Sequence, residues 1–570
     1  MNGTHQAIYD LAELCVRHGI QDAVICPGSR SAPLVLAFAN HPGIKCRVVP
    51  DERSAAFIAM GIAQSTGRPT VLICTSGTAA LQFAAAVAEA YHQHIPLLVM
   101  TADRPPEWIG QRDGQTIQQD HLYGGHVKGF FPVHTDGAPE AEWIANRNLN
   151  DAISLSRAYP PGPVHLNFPF REPLYPDPDT SISYGNPRVI GESYAQTTLP
   201  PSELKDLQRR LSRFKRILIA GGQPIAGQLP GRLDAQKRSI PILAELLSNL
   251  HGHVSAIRHA DLVLDNIQDE QAEELRPDLL LTWGAGVVSK SVRRFLRRFP
   301  AAEHWHCQPS GPVADTYQRL TRILRMQPQD LMDLLAGFQP GIHQQAYFKR
   351  WRKAESIALK IRNVWLEGHL GEAGIVASLM KRLPSDCTLH LANSMSVRYG
   401  ILAGLDPKQK NIRVFSNRGT SGIDGCSSTA VGHALSHRGP HVLITGDVAF
   451  LYDRNAFWLG HAIPNLHILV LQNHGGQIFQ MIDGPRDRSE VKDYFVGPQP
   501  LDTRNLCREY GIRRLEARSG DQKGISEALN AFLAFESRMT LLEFRSEAGY
   551  DQGLWTELKN KIRKRHDHHT

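Results

Sequence analysis

The stretch Ile444–Phe479, ITGDVAFLYDRNAFWLGHAIPNLHILVLQNHGGQIF, runs an apolar strand into a Gly-Asp turn and a second strand into Asn-His-Gly-Gly. The first strand, His441–Thr445, delivers Gly446 and Asp447 at its carboxyl end. A helix is expected from Ala449 to about Gly460, after which the strand His467–Leu471 delivers Asn473, His474 and Gly475. Strand–helix–strand units of this length make parallel pairs. If the two strands are neighbours, their ends lie about 4.8 Å apart. Asp447 and the Asn473 amide oxygen then reach one cation at about 2.0–2.1 Å. A carboxylate, an amide and the Gly475 carbonyl are hard oxygen ligands that suit Mg²⁺ and leave positions for phosphate oxygens. Gly446, Gly475 and Gly476 admit a close backbone approach, and a helix start offers N–H groups to an anion. The competing reading of Asp447 alone is a helix cap.

The same alternation fills the first third. Strands are expected at Asp22–Cys26, Lys45–Val49, Thr70–Cys74 and Pro96–Thr101, with helices at Pro33–Asn40, Ala55–Ser65 and Ala79–Tyr91. Prolines from REPLYPDPD to about Pro201 can sustain neither helices nor central strands, which marks a linker. Beyond it, RILIAGG and DLLLTWGAG read as strands ending in glycine turns. An amphipathic helix over Gln345–Glu367 opens the last third, with further strands at Thr388–Leu391 and Arg413–Phe415. The expected fold class is α/β, with three consecutive doubly wound parallel-sheet domains over residues 1–185, 186–342 and 343–570. Open sheets of this kind bind ligands at the carboxyl ends of their strands.

The 570 residues agree with about three domains at roughly 100–200 residues each. With 42% hydrophobic and 21% charged residues, disordered and fibrous classes drop out. No apolar run reaches the roughly 18–20 residues of a membrane span, and MNGTHQAIYDLAEL has no signal-peptide pattern. The net charge of +7 is mild for this length and argues for neither nucleic acid nor a membrane surface. Eight scattered cysteines without a CxxC pair read as free, mostly buried thiols of a cytoplasmic enzyme. The basic tail KIRKRHDHHT reads as a solvated helix end.

The crossover between Asp447 and Asn473 resembles the thiamin diphosphate motif, a Gly-Asp-Gly turn followed one crossover later by an Asn-Asn pair. Val448 and Gln472 depart from it, while the ligand positions Asp447, Asn473 and Gly475 are kept. Enzymes of this type use a carboxylic acid against the aminopyrimidine ring to help remove the C2 proton. In KCRVVPDERSAAFIAMGIA, Glu52 follows a strand and precedes an apolar helix, and it is the candidate. Its other reading is a charge complementing that helix's dipole. Such enzymes carry the two duties on two sheet domains that meet across a subunit interface, which implies a homodimer or a dimer of dimers.

CPGSRSAPL (Cys26–Leu34), TSGTA (Thr75–Ala79), TADRPPE (Thr101–Glu107), NSMSVR (Asn393–Arg398) and SNRGTSGIDG (Ser416–Gly425) go further. With QNHGGQIF they resemble the 2-succinyl-5-enolpyruvyl-6-hydroxy-3-cyclohexene-1-carboxylate synthase family of menaquinone biosynthesis. The resemblance runs through the chain and is thinnest in the middle. It implies decarboxylation of 2-oxoglutarate on thiamin diphosphate with Mg²⁺, or Mn²⁺. The resulting succinic-semialdehyde carbanion adds in a 1,4 manner to isochorismate. Both substrates are dianions, and Arg30, Arg104, Arg398 and Arg418 lie in turns where bidentate carboxylate contacts are favoured.

By this resemblance Ser29, Arg30, Arg104 and Gln115 line the isochorismate side, and Ser394, Arg398 and Arg418 hold carboxylates. Ser421, Gly422 and Ile423 contact the cofactor, with Ile423 beneath it, and Phe479 and Ile482 form apolar walls. Gly114 stands where the family tends to have Asn. In VVSKSVRRF, Lys290 fits the first member of a basic pair, but Ser291 takes the second place, leaving Arg293 or Arg294 as replacements. AGGQP (Ala220–Pro224) lacks a full GxGxxG and reads as structural. Two alternatives stay open: another thiamin diphosphate-dependent 2-oxo-acid decarboxylase or acetohydroxyacid synthase, and a non-catalytic subunit with a degenerate site. Nucleic acid and membrane partners are not expected.

Overall fold

The computed structural model describes residues 3–134, 139–177, 181–193, 197–225, 240–265, 267–409, 411–481, 484–536, 538–547, 551, 553, 556–558 and 560–562. Three parallel six-stranded sheets follow one another along the chain. The first is built from β1 (Asp22–Ile25), β2 (Lys45–Val48), β3 (Thr70–Cys74), β4 (Leu97–Asp103), β5 (Phe130–Pro132) and β6 (Val164–Pro169), in the order β2-β1-β3-β4-β6-β5. The second uses β7 (Ile217–Gly221), β8 (Ile242–Leu243), β9 (Ala256–Ile257), β10 (Leu279–Trp283), β11 (Glu303–Cys307) and β12 (Leu320–Leu324), ordered β12-β11-β10-β7-β8-β9. The third holds β13 (Thr388–Leu391), β14 (Arg413–Phe415), β15 (His441–Gly446), β16 (Leu466–Gln472), β17 (Arg513–Arg518) and β18 (Thr540–Arg545), ordered β14-β13-β15-β16-β18-β17. The fold is α/β, as the alternation of strands and helices requires.

The central strands β3, β4, β10 and β16 are buried along their whole length, as continuous apolar runs covered on both faces must be. Between Phe170 and Pro200 the described residues carry no helix or strand, in keeping with their prolines. The long helix is Ile342–Glu367, and its Trp351 and Tyr347 are buried against Phe295 and Leu275 of the helices Lys290–Arg298 and Asp269–Leu275. The Tyr347 hydroxyl donates to the Leu275 carbonyl at 2.6 Å, so this buried phenol is satisfied. All eight cysteines are free, and only Cys46 is more than slightly exposed. No described helix is long and apolar enough to cross a membrane.

Two local expectations change. The helix expected over Ala79–Tyr91 is two helices, Thr78–Gln82 and Ala84–Gln93, hinged at the buried Phe83. The helix expected from Ala449 to about Gly460 ends at Tyr452, and a 3₁₀ segment covers Arg454–Ala462. The Asp453 carboxyl accepts from Ser428 N and Oγ, both at 2.7 Å, and Asn455 Nδ2 donates to Asp51 at 2.7 Å, so tertiary contacts set the break.

The chain divides into two compact units. One holds residues 1–194, 417–438 and 452–466, and the other holds 195–416, 439–451 and 467–570. In the first, the helices Glu52–Thr66 and Cys426–Ser436 pack so closely that a Cβ on Gly61 would lie 2.2 Å from the Thr429 carbonyl oxygen. A Cβ on Gly432 would lie equally close, 2.2 Å, to the Ile58 carbonyl oxygen. In the second unit, one apolar cluster joins the second sheet, the long helix and the third sheet.

Candidate active site

β15 and β16 are neighbours, so Gly446-Asp447 and Asn473-His474-Gly475 emerge side by side. Asp447 is 1% exposed, and its carboxylate is tied into both turns. Oδ1 accepts the Val448 N–H at 2.7 Å, while Oδ2 accepts from Asn473 N at 3.1 Å, Gly475 N at 3.2 Å and Gln499 Nε2 at 2.9 Å. Burial pushes the Asp447 carboxyl up, and the backbone donors pull it back. Asn473 donates Nδ2 to Glu372 Oε1 at 2.8 Å, and its Oδ1 is buried with no partner. Buried polar atoms are nearly always paired, so an orphaned oxygen beside a buried carboxylate fits a missing cation. The Gly475 carbonyl accepts from Gln477 N at 3.0 Å and keeps a second lone pair. A Cβ on Gly446 would meet nothing within 4 Å, which leaves open space at this strand end. Among the described residues no group of three His, Cys, Asp or Glu converges, and a one-acid oxygen set needs none. The residues present therefore fit a Mg²⁺-type ion.

Phe479 packs on Phe495 with ring centroids 5.6 Å apart, forming an apolar surface beyond the Gly475-Gly476 turn. Ile482 lies outside the described residues. Ser394 precedes the helix Met395–Ala403 with φ 71 and ψ −129, and its carbonyl accepts from Arg398 at 2.5 Å. Lys290 is exposed at the start of the helix Lys290–Arg298, after β10. Ser291 turns its hydroxyl to Asp265 at 3.5 Å and supplies no cation.

The first unit collects the other candidates at the carboxyl ends of β1 and β4. Arg30 is 6% exposed and donates to the Phe170 carbonyl at 3.1 Å, with Glu172 Oε1 at 3.4 Å. Its Nε is buried and unpartnered. Arg104 stands 3.6 Å from Asp113, and its Nε is likewise buried without a hydrogen bond. Ser29 and Gln115 are exposed at the same sheet end. Beneath them, Gln119 accepts the Gly77 N–H at 2.9 Å and donates to Asn167 at 2.9 Å. Asn167 in turn donates to Asp103 at 2.8 Å, so the turns after β3, β4 and β6 are locked together.

Glu52 opens its helix, behind the Asp51 cap, and is partly exposed. Its charge, after burial, helps raise the thiols of Cys26 and Cys74, which places it near the ends of β1 and β3. Arg418, Ser421, Gly422 and Ile423 lie on a loop anchored by Glu89. That buried carboxylate accepts from Gly419 N at 2.7 Å, Thr420 N at 2.6 Å and Thr420 Oγ1 at 2.5 Å.

Four of the eleven described residues other than glycine with positive φ lie in these turns: Gln115 at 58°, Ser394 at 71°, Ser421 at 66° and His474 at 62°. Such conformations cost roughly 1–3 kcal/mol each and persist where the surroundings impose them, which is typical of functional sites. Glu372, Gln499, Gln119 and Glu89 escaped the sequence reading. Each reaches its partner across a long sequence separation, and none belongs to a motif.

Residues 6–123 match the family described as thiamine pyrophosphate enzyme, N-terminal TPP binding domain, and residues 194–391 match the middle domain of thiamine pyrophosphate enzymes. The chain is 41% identical over 563 residues to a 2-succinyl-5-enolpyruvyl-6-hydroxy-3-cyclohexene-1-carboxylate synthase of Cytophaga hutchinsonii, covering 98% of this chain and 99% of the relative. A protein of the same name from Bacteroides thetaiotaomicron is 34% identical over 567 residues, covering 98% and 99%. One from Desulfotalea psychrophila is 35% identical over 545 residues, covering 94% and 98%.

Proposed function

The chain belongs to the 2-succinyl-5-enolpyruvyl-6-hydroxy-3-cyclohexene-1-carboxylate synthase family, and on that premise we propose that it decarboxylates 2-oxoglutarate and joins the remaining four-carbon unit to isochorismate. The addition is 1,4, the products are the named carboxylate and CO₂, and the setting is menaquinone biosynthesis. The single observation that carries the cofactor site is the buried, unpartnered Oδ1 of Asn473, a residue whose backbone N–H is bound by Asp447.

Thiamin diphosphate, when bound, supplies the carbon nucleophile that turns the carboxylate of a 2-oxo acid into a leaving group. Asp447, Asn473 Oδ1 and the Gly475 carbonyl would hold Mg²⁺, or Mn²⁺, with Gly446 leaving room for phosphate oxygens. Ser421, Gly422 and Ile423 would contact the cofactor. Glu52 holds or yields a proton at its carboxyl oxygen. Ser29, Arg30, Arg104 and Gln115 bind the isochorismate carboxylates. Ser394, Arg398, Arg418 and Lys290 bind the remaining ones, and the Phe479 face keeps water from the addition.

The domain division that goes with this function is 1–185 for the pyrimidine side, 186–342 for the bridging sheet and 343–570 for the diphosphate side. A cytoplasmic homodimer or dimer of dimers is the proposed assembly. The experiment is a spectrophotometric assay of isochorismate loss. Loss that requires thiamin diphosphate, Mg²⁺ and 2-oxoglutarate together supports the proposal. Turnover without added or bound thiamin diphosphate contradicts it, and pyruvate serving as well as 2-oxoglutarate points to another 2-oxo-acid enzyme.

A further inference from the structure

An asparagine at a cation site can present either its oxygen or its NH₂, and only the oxygen is a ligand. Something must choose between them. Here Nδ2 of Asn473 is taken by Glu372 Oε1 at 2.8 Å, which leaves Oδ1 as the free, buried atom. Glu372 is 1% exposed, and the same Oε1 accepts from Ser546 Oγ at 2.9 Å.

The backbone of Glu372 is fixed as firmly as its carboxyl. It begins the helix Glu372–Arg382, whose N-cap is Gly371 and so has no side chain to accept an N–H. Asp551 takes that duty from the far end of the chain, accepting the Glu372 N–H at 2.7 Å through Oδ1. A Cβ on Gly371 would lie 2.1 Å from that oxygen, so any larger residue there would push the Asp551 carboxyl off the Glu372 N–H. Three segments distant in sequence thus hold one acid against one amide. A carboxyl group keeps an acceptor oxygen whether protonated or not, so the contact to Nδ2 can be made without its charge.

We propose that Glu372 is the positioning residue that turns the Asn473 amide oxygen toward the divalent cation, and that Ser546 and Asp551 hold Glu372 in place. The inference rests on Asp447, Asn473 and Gly475 being the cation site. Groups that orient a metal ligand typically change metal affinity by about 10–100-fold when removed.

Two conservative substitutions separate reach from charge. Glu372→Gln keeps a carbonyl oxygen at the same reach and loses the charge. Glu372→Asp keeps the charge and withdraws the acceptor by one methylene. Mn²⁺ retention by the full chain, with thiamin diphosphate present, is measured from the electron paramagnetic resonance signal of free Mn²⁺. E372Q is expected to bind Mn²⁺ close to the wild-type level, and E372D about 10–100-fold more weakly. Wild-type affinity in E372D, or a loss in E372Q equal to that in E372D, overturns the inference. Should E372D not fold, Ser546→Ala is read the same way: weaker retention supports the inference and unchanged affinity overturns it. Failure of the wild-type chain to retain Mn²⁺ would instead remove the cation site itself.

Discussion

Asp447 Oδ2 accepts the Asn473 backbone N–H at 3.1 Å, so the carboxylate that would bind the cation also fixes the turn that presents the second ligand. Two strand ends and one carboxyl form a single unit, with Gly475 N and Gln499 Nε2 as further donors to the same oxygen. The Asp447 carboxyl is buried and pushed up by that burial, so without a cation its charge is a cost to the fold. Asp447→Asn removes that charge but puts an NH₂ donor where one of two accepting oxygens stood, so the cofactor-free protein is expected to lose about 1–3 kcal/mol. The substitution should abolish the thermal shift on adding Mg²⁺ and thiamin diphosphate, which for the wild type at 100 times Kd corresponds to about 2.7 kcal/mol. Differential scanning fluorimetry reads both.

The loop bearing Arg418 depends on Glu89. Glu89→Ala strips a charged acceptor from two part-buried N–H groups and one hydroxyl, and hydrogen bonds to charged groups are worth about 1.5–3 kcal/mol each. A loss of about 3 kcal/mol or more in urea unfolding is expected. The KM for the anionic substrate and the thiamin diphosphate concentration for half-maximal activity should both rise, because the displaced loop carries Arg418 as well as Ser421, Gly422 and Ile423.

Close packing of the helices Glu52–Thr66 and Cys426–Ser436 makes Gly61 and Gly432 irreplaceable. Alanine would gain about 1 kcal/mol of helix propensity at either position. The new Cβ would lie 2.2 Å from a backbone oxygen, which cannot move aside as a side-chain tip can. Overpacking of this kind costs about 1–3 kcal/mol, so the clash outweighs the propensity gain. Gly432→Ala should lower the melting temperature, and an unchanged value would refute the packing argument.

Asp453 gives a pH signature. It is fully buried, and burial raises its carboxyl to about 7 against the opposing Ser428 hydrogen bonds and the Arg53 charge. Between the ordinary carboxylate value, about 4, and about 7 the folded state holds a proton that the unfolded state has lost. Stability from this group is thus present at low pH and is lost as pH rises, by about 1.4 kcal/mol per unit within that window. Asp453→Asn should flatten the dependence. Comparing wild type and variant at pH 5 and 7.5 cancels the other buried acids, which titrate in both.

The parallel sheets were legible because their strands are short apolar runs that end in glycine turns, and Asp447, Asn473 and Gly475 were legible because each sits at such an end. Strand ends such as Cys74 and Leu391 fall where the residues place them. Glu372 was not legible, since an acid opening a helix reads as a dipole partner. Glu89 sits in AAAVAEAYHQ, where one acid among alanines reads as a solvent-facing residue; the Arg418 loop buries it. Both depend on partners more than 100 residues away in sequence. The break after Tyr452 was missed because Asp453 is taken up by Ser428, a contact no local pattern encodes.

The central claim is that this chain runs thiamin diphosphate chemistry with Glu52 as its proton-handling acid. Glu52→Gln tests it, with cofactor binding followed by calorimetry and isochorismate loss followed by absorbance on the same preparation. Mg²⁺–thiamin diphosphate is expected still to bind, with turnover lower by about 10²-fold or more. A Glu52→Gln variant that binds the cofactor and turns over near the wild-type rate would contradict it.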